Sequence, residues 1–132
     1  MKNLIIFVLL SLHLCNSGCD DSITTLSATK DGEKLNEGEY IPFELSQNYP
    51  NPTNGSTTIP FALATTMFIS LKVFTEDWTE VVTLVNDYKN SGYYSITFSG
   101  RNESGDKLPS GDYYYCIGGN GYKLTRLMKI IK

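Results

Sequence analysis

The sequence predicts an all-β fold, a seven-stranded antiparallel immunoglobulin-like β-sandwich. Three observations carry that prediction. Short runs alternate apolar and polar residues with period two, the spacing that places successive side chains on opposite faces of a strand. Clusters of Gly, Asn and Ser separate the runs at close intervals. No helical period runs through residues 43–132. Seven strands in about 90 residues suit a sandwich whose sheets are each half-buried. An open barrel is the alternative, although barrels of this size need longer and more even strands.

Taken in order, Phe43 to Gln47 alternates weakly and stops at Asn48-Tyr49-Pro50-Asn51-Pro52, where two prolines forbid ladder bonding. Thr57 to Leu63 sets Ile59, Phe61 and Leu63 on one face. Phe68 to Thr75 sets Ile69, Leu71 and Val73 on one face, with Ser70 and Lys72 opposite, and Thr79 to Val85 is a β-branched run. Tyr93 to Ser99 opposes Tyr94, Ile96 and Phe98 to Tyr93, Ser95 and Thr97. Gly111 to Ile117 is densely aromatic, and Tyr122 to Ile131 closes the chain. Turns are expected at Asn54-Gly55, Asn90-Ser91-Gly92, Ser104-Gly105-Asp106, Ser110-Gly111 and Gly118-Gly119-Asn120-Gly121.

Ahead of this body lie two further segments. Residues 1–18 place Lys2 before a short apolar run, Leu4 to Leu12, which is the layout of a secretory signal peptide and about half the length of a membrane-spanning helix. Asn16-Ser17-Gly18-Cys19 resembles a bacterial lipoprotein cleavage box, with Asn16 where that box usually has Leu and Cys15 as a poorer competing site. The resemblance implies cleavage before Cys19 and acylation of its thiol, the acyl chain anchoring the protein at about 0.8 kcal/mol per buried methylene. Residues 19–42 carry Asp20, Asp21, Asp31, Glu33, Glu37 and Glu39 against Lys30 and Lys34, without apolar periodicity, and read as a flexible acidic tether.

Charge and reactive inventory narrow the function. A net charge of −3 lacks the basic footprint of a nucleic-acid binder. Cleavage before Cys19 discards His13, the single His, together with Cys15, so Ser-His-Asp and Cys-His schemes are excluded from the mature chain. Ordinary zinc sites fail for the same want of ligands. Cys116, within an apolar strand, reads as a small buried hydrophobe. Asp106 and Asp112 flank Ser-Gly turns without the evenly spaced oxygen ligands of a calcium loop. Asn54 and Asn102 match the N-glycosylation pattern, which a bacterial lipoprotein has little reason to use. No cofactor and no enzymatic activity are expected.

The run Phe43 to Asn54, with Gln47, Asn48, Tyr49, Pro50, Asn51 and Pro52 at its centre, resembles the opening of the C-terminal sorting domain of the type IX secretion system. Later landmarks follow in order: Thr58 to Leu63, Leu71 to Phe74, Gly100 to Gly105, Pro109 to Tyr115 with Gly111, Tyr113 and Tyr115, and the basic end Thr125 to Lys132. Related immunoglobulin-like domains occur in the flagellar hook-cap protein. The resemblance spans residues 43–132 and implies a folded label read by outer-membrane translocon components and normally removed from secreted cargo. Departures are Phe98-Ser99 for the usual Trp-Asp, Thr53 for the usual Phe, and Trp78 where a hairpin normally turns through Gly. A Trp is costly at positive φ, so that turn is expected to be rearranged.

Within the motif, the prolines fix φ and remove donors, Tyr49 is expected to cover an end of the sandwich, and Gly105 and Gly111 to hold turns. Arg126, Lys129 and Lys132, with Lys123, form a cationic last strand, read as an edge protected against aggregation or as a docking strip for an acidic receptor groove or anionic lipopolysaccharide. Tyr88, Tyr93, Tyr113, Tyr114, Tyr115 and Tyr122, with Trp78 at the rim, read as cross-strand packing or as a sugar-binding platform. The expected function is therefore targeting to, or retention at, the outer membrane or cell surface. A free-standing adhesion, carbohydrate-binding or assembly module is the alternative.

Overall fold

The computed structural model describes residues 26–35 and 38–132. Residues 1–25, and with them the expected signal peptide and the expected lipidation site Cys19, lie outside the described residues.

The described chain is all-β. Its nine strands are β1 (Leu26–Lys30), β2 (Glu33–Lys34), β3 (Phe43–Leu45), β4 (Thr57–Leu63), β5 (Met67–Thr75), β6 (Glu80–Lys89), β7 (Gly92–Phe98), β8 (Gly111–Gly119) and β9 (Tyr122–Ile130). They form two antiparallel sheets, one of six strands in the order β2-β1-β9-β8-β5-β6 and one of three in the order β3-β4-β7. The seven expected strands are all present, with ends shifted by a few residues, in two sheets rather than one closed ring. The core lies between the sheets. Phe43, Leu45, Ile59, Phe61 and Leu63 of the small sheet meet Ile69, Leu71, Val73, Tyr115, Ile117, Leu124, Met128 and Ile130 of the large one. These are the period-two positions, and their removal from water is the main favourable term in folding.

The count of nine corrects the expected seven, and the two additional strands come from the segment read as a tether. β1 runs antiparallel to β9, from Leu26 opposite Arg126 to Lys30 opposite Tyr122. Asp31 (φ 51°) and Gly32 (φ 87°) then turn the chain into β2, pairing Lys30 with Glu33. Positive φ at both central residues is what a tight two-residue hairpin demands, and Asp-Gly is a preferred sequence for it. Asn120 and Gly121 make the corresponding turn between β8 and β9, with φ of 52° and 84°. The two turns sit side by side: Asp31 N–H donates to the Gly121 carbonyl at 2.7 Å, and a Cβ on Gly121 would come within 2.5 Å of the Asp31 carboxylate. The acidic segment is thus partly sheet. As a second correction, β9 is covered by β1 on one side and β8 on the other, so the basic last strand is no edge.

Candidate functional site

Between β3 and β4 the chain leaves the small sheet, crosses to the large one and returns. Tyr49 bridges to β4, its N–H donating to the Thr58 carbonyl and its carbonyl accepting from Thr58 N–H, each at 2.9 Å. Four residues later Thr53 bridges to β9: Thr53 N–H donates to the Lys129 carbonyl at 2.9 Å, and Ile131 N–H donates to the Thr53 carbonyl at 2.8 Å. Pro50 and Pro52 lack backbone donors, so the bridges to the two sheets fall to Tyr49 and Thr53 beside them, and the motif clasps the sheets together.

Side chains fix the clasp from beneath. Asn48, 2% exposed, donates through Nδ2 to Thr57 Oγ1 (2.9 Å) and to the Pro50 carbonyl (3.2 Å), while its Oδ1 accepts from Gln47 Nε2 (2.7 Å). Gln47 Nε2 also donates to the Leu127 carbonyl of β9 at 2.8 Å. The Tyr115 hydroxyl accepts from Asn48 N–H and donates to the Ser46 carbonyl, both at 2.7 Å. Burial pushes the Tyr115 phenol far above its ordinary range, so it keeps the proton that the second bond requires. Asn51 Oδ1 accepts from Lys129 N–H at 2.9 Å, and Arg126 Nε donates to the Leu45 carbonyl at 2.8 Å. Thr53, buried where the resemblance expects Phe, donates through its hydroxyl to the Ser56 carbonyl at 2.8 Å and closes the Asn54-Gly55 turn. Gln47 Oε1 is buried with no partner. Net bonds of this kind are each worth about 1 kcal/mol, and a buried group left without a partner costs about 1–3.

The sequence-predicted residues therefore separate into two groups. Gln47, Asn48, Asn51, Tyr115, Arg126 and Lys129 converge on one end of the sandwich, as hydrogen bonds spanning up to 81 positions show. Tyr49 covers little of that end, contrary to expectation: it is 79% exposed, and Pro50 and Pro52 are exposed beside it. The three basic residues sit in three settings. Arg126 is buried, Lys129 pairs with Asp112 (2.7 Å), and Lys132 is exposed. Lys132 lines a polar cleft of about 450 Å³ with Arg101, Lys107 and Asn54. Gly105 (φ 89°) turns the Asn102–Asp106 loop, and Tyr113 donates to the Pro109 carbonyl at 2.7 Å ahead of Gly111.

The aromatic set is not one platform. Tyr113 and Tyr115 are core, Tyr93 is 90% exposed on β7, Tyr88 meets Phe68 edge-on, and Lys30 lies over Tyr122. Trp78 keeps a positive φ of 67°, so the turn is not rearranged to avoid it. Instead the indole, 53% exposed, lies flat on Tyr114 (4.7 Å between ring centroids) and against Phe74 (5.5 Å). Cys116 is buried, and burial pushes its thiol up from 9.0.

No family model and no curated protein matches the chain. Among solved structures the fold is similar to part of dimeric latent PorU from Porphyromonas gingivalis, with TM-score 0.59 and 14% identity over 75% of this chain and 10% of PorU. FlgD from P. aeruginosa follows at TM-score 0.48 and 12% identity, covering 82% of this chain and 78% of FlgD. PorZ, an essential bacterial surface component of the type-IX secretion system of P. gingivalis, gives 0.47 and 17%, over 78% of this chain and 13% of PorZ. The chain spans about a tenth of PorU, and identities this low establish a shared fold alone.

Proposed function

We infer that this chain is a non-enzymatic exported lipoprotein whose immunoglobulin-like sandwich serves as a type IX secretion sorting label at the outer membrane or cell surface. The observation that carries this reading is the clasp. The opening and closing stretches of the sequence resemblance lie against one another, and their buried and part-buried hydrogen bonds hold Tyr49, Pro50 and Pro52 out to solvent in one fixed shape. A rigid exposed turn loses little freedom when a receptor takes it, which favours recognition. Translocon components are the partners on this reading, and acylated Cys19 supplies the lipid anchor.

Point variants test it better than removal of β9, which pairs with strands on both sides and would take the fold with it. Tyr49→Ala combined with Pro52→Ala is expected to leave the far-UV spectrum unchanged while protease shaving of intact cells shows surface exposure lost. Unchanged exposure would overturn the label. Mass spectrometry of membrane-extracted protein should find the chain starting at Cys19 with diacylglycerol mass attached; an unmodified Cys19 refutes the anchor.

The exposed Trp78–Tyr114 stack favours a second reading, a glycan-binding module, because flat exposed rings are surfaces on which sugars stack. Trp78 fluorescence that stays constant across a polysaccharide panel removes it.

A further inference from the structure

Sheet edges invite pairing, and proteins blunt them with short strands, charges, prolines or bulges. Three of the four edges among the described residues are blunted. β2 has only two residues, both charged, and β3 has three with Glu44 at its centre. β6 carries Glu80, Asp87 and Lys89, and its register against β5 shifts twice. β7 has none of these devices: its seven residues, Gly92 to Phe98, hold no charge and no proline, and pair with β4 without a register shift.

Its outward-pointing groups follow from its partner. The Pro60 carbonyl accepts from Ser46 N–H at 3.0 Å, and Thr58 exchanges bonds with Tyr49, so both face away from β7. Their cross-strand partners are Ser95 and Thr97. In an antiparallel ladder, paired residues point their amides toward each other or both away. The N–H and C=O groups of Ser95 and Thr97, and by the same alternation Tyr93, therefore face the open side of β7.

We propose that β7 is a self-pairing edge that joins two copies of this chain into a continuous antiparallel sheet, on a two-fold axis at Ser95. That axis sets Ser95 opposite its own copy, and Tyr93 opposite Thr97 of the second copy. Three residues facing three give six backbone hydrogen bonds with no charge brought against a like charge. On the core side, Tyr94 and Ile96 are only partly buried; the same register lays each against the other's counterpart and covers what remains open. A partner strand with a proline at a facing position would lose one of these bonds, whereas a second copy of β7 supplies all six. The pairing is independent of the sorting reading, since the clasp belongs to another part of the chain.

The full chain is examined in density-matched detergent by sedimentation velocity, with circular dichroism to confirm folding. Wild type is expected to show a protein mass that rises with concentration toward twice the monomer. Ser95→Lys, at an exposed position, is expected to remain monomeric, and so is Ser95→Asp. An equimolar mixture of the two variants is expected to restore the dimer through opposite charges on the axis. A monomeric wild type, association persisting in Ser95→Lys, or a mixture that stays monomeric each overturns the proposal.

Discussion

The clasp and the β5–β6 tip are both tight turns rich in polar side chains, yet they are held in opposite ways. At the clasp, besides local bonds within the motif, buried or part-buried hydrogen bonds join residues 67 to 81 positions apart: Asn48 to Tyr115, Gln47 to Leu127, Leu45 to Arg126. At the tip they are exposed and local. The Thr75 hydroxyl donates to Asp77, Thr79 N–H donates back to Thr75 Oγ1 (3.1 Å), and Glu80 accepts from Thr83 (2.8 Å). Buried long-range bonds form only when the whole sandwich has formed, whereas local exposed ones compete with water throughout. The clasp is thus part of the global fold, and the tip is free to vary in sequence without threatening it.

The largest effect expected is at Asn48. Asn48→Leu takes one hydrogen bond each from Thr57 Oγ1, the Pro50 carbonyl and Gln47 Nε2. It leaves Thr57 Oγ1 bonded to the Pro50 carbonyl and Gln47 Nε2 to the Leu127 carbonyl, and sets an apolar side chain in that buried polar site. Chemical denaturation should show a loss of roughly 3 kcal/mol. Tyr115→Phe strips partners from the buried Asn48 N–H and the part-buried Ser46 carbonyl, and should cost about 2 kcal/mol in the same measurement.

Tip variants should cost less. Tyr114→Ala removes the ring beneath Trp78 and should lose about 1 kcal/mol. Trp78→Gly also removes the stack, but relieves a bulky residue held at positive φ, so the terms nearly cancel and stability should stay within about 1 kcal/mol of wild type. If Trp78→Gly proves as damaging as Asn48→Leu, the contrast between the regions fails.

The smallest effect sharpens the contrast through pH. Burial raises the Glu44 carboxyl beside the clasp above its ordinary 4.5, against the opposing pull of Arg126. The folded chain then holds that proton more tightly than the unfolded one. Its contribution is full below pH 4.5 and is lost as pH rises through the folded value. Hydrogen bonds from Thr75 and Thr83 lower Asp77 and Glu80 at the tip, so theirs is present above 3.8 and 4.5 and is lost as pH falls. In a pH series of denaturation midpoints, Glu44→Gln should abolish the decline above pH 4.5, and Asp77→Asn should soften the decline at lower pH.

The strands were legible because alternation reports directly which face is apolar; β7 buries Tyr94, Ile96 and Phe98 more than Tyr93, Ser95 and Thr97, as its spacing demands. β1 and β2 escaped because Leu26–Lys30 is short and polar and its burial depends on β9, nearly 100 positions away. A local signal was nonetheless present: Asp31-Gly32 is a hairpin turn in two residues. At the clasp, the family resemblance picked out the motif, but charge suggested that Arg126 faces a receptor. Its alternation with Leu124 and Met128 places it inward instead, where it bonds a backbone carbonyl. The exposure of Tyr49 had no sequence signal, because it depends on which sheet each neighbour of the prolines bonds.

The β1–β9 ladder also sets a leash. A 24-residue tether, from an anchored Cys19 to Phe43, would let the body roam roughly 80 Å from a bilayer at full stretch. With Leu26 committed to the large sheet, six residues separate it from Cys19, and the reach shrinks to roughly 25 Å. On the lipoprotein reading this is a body kept close to the headgroups, able to meet only what comes down to the membrane plane.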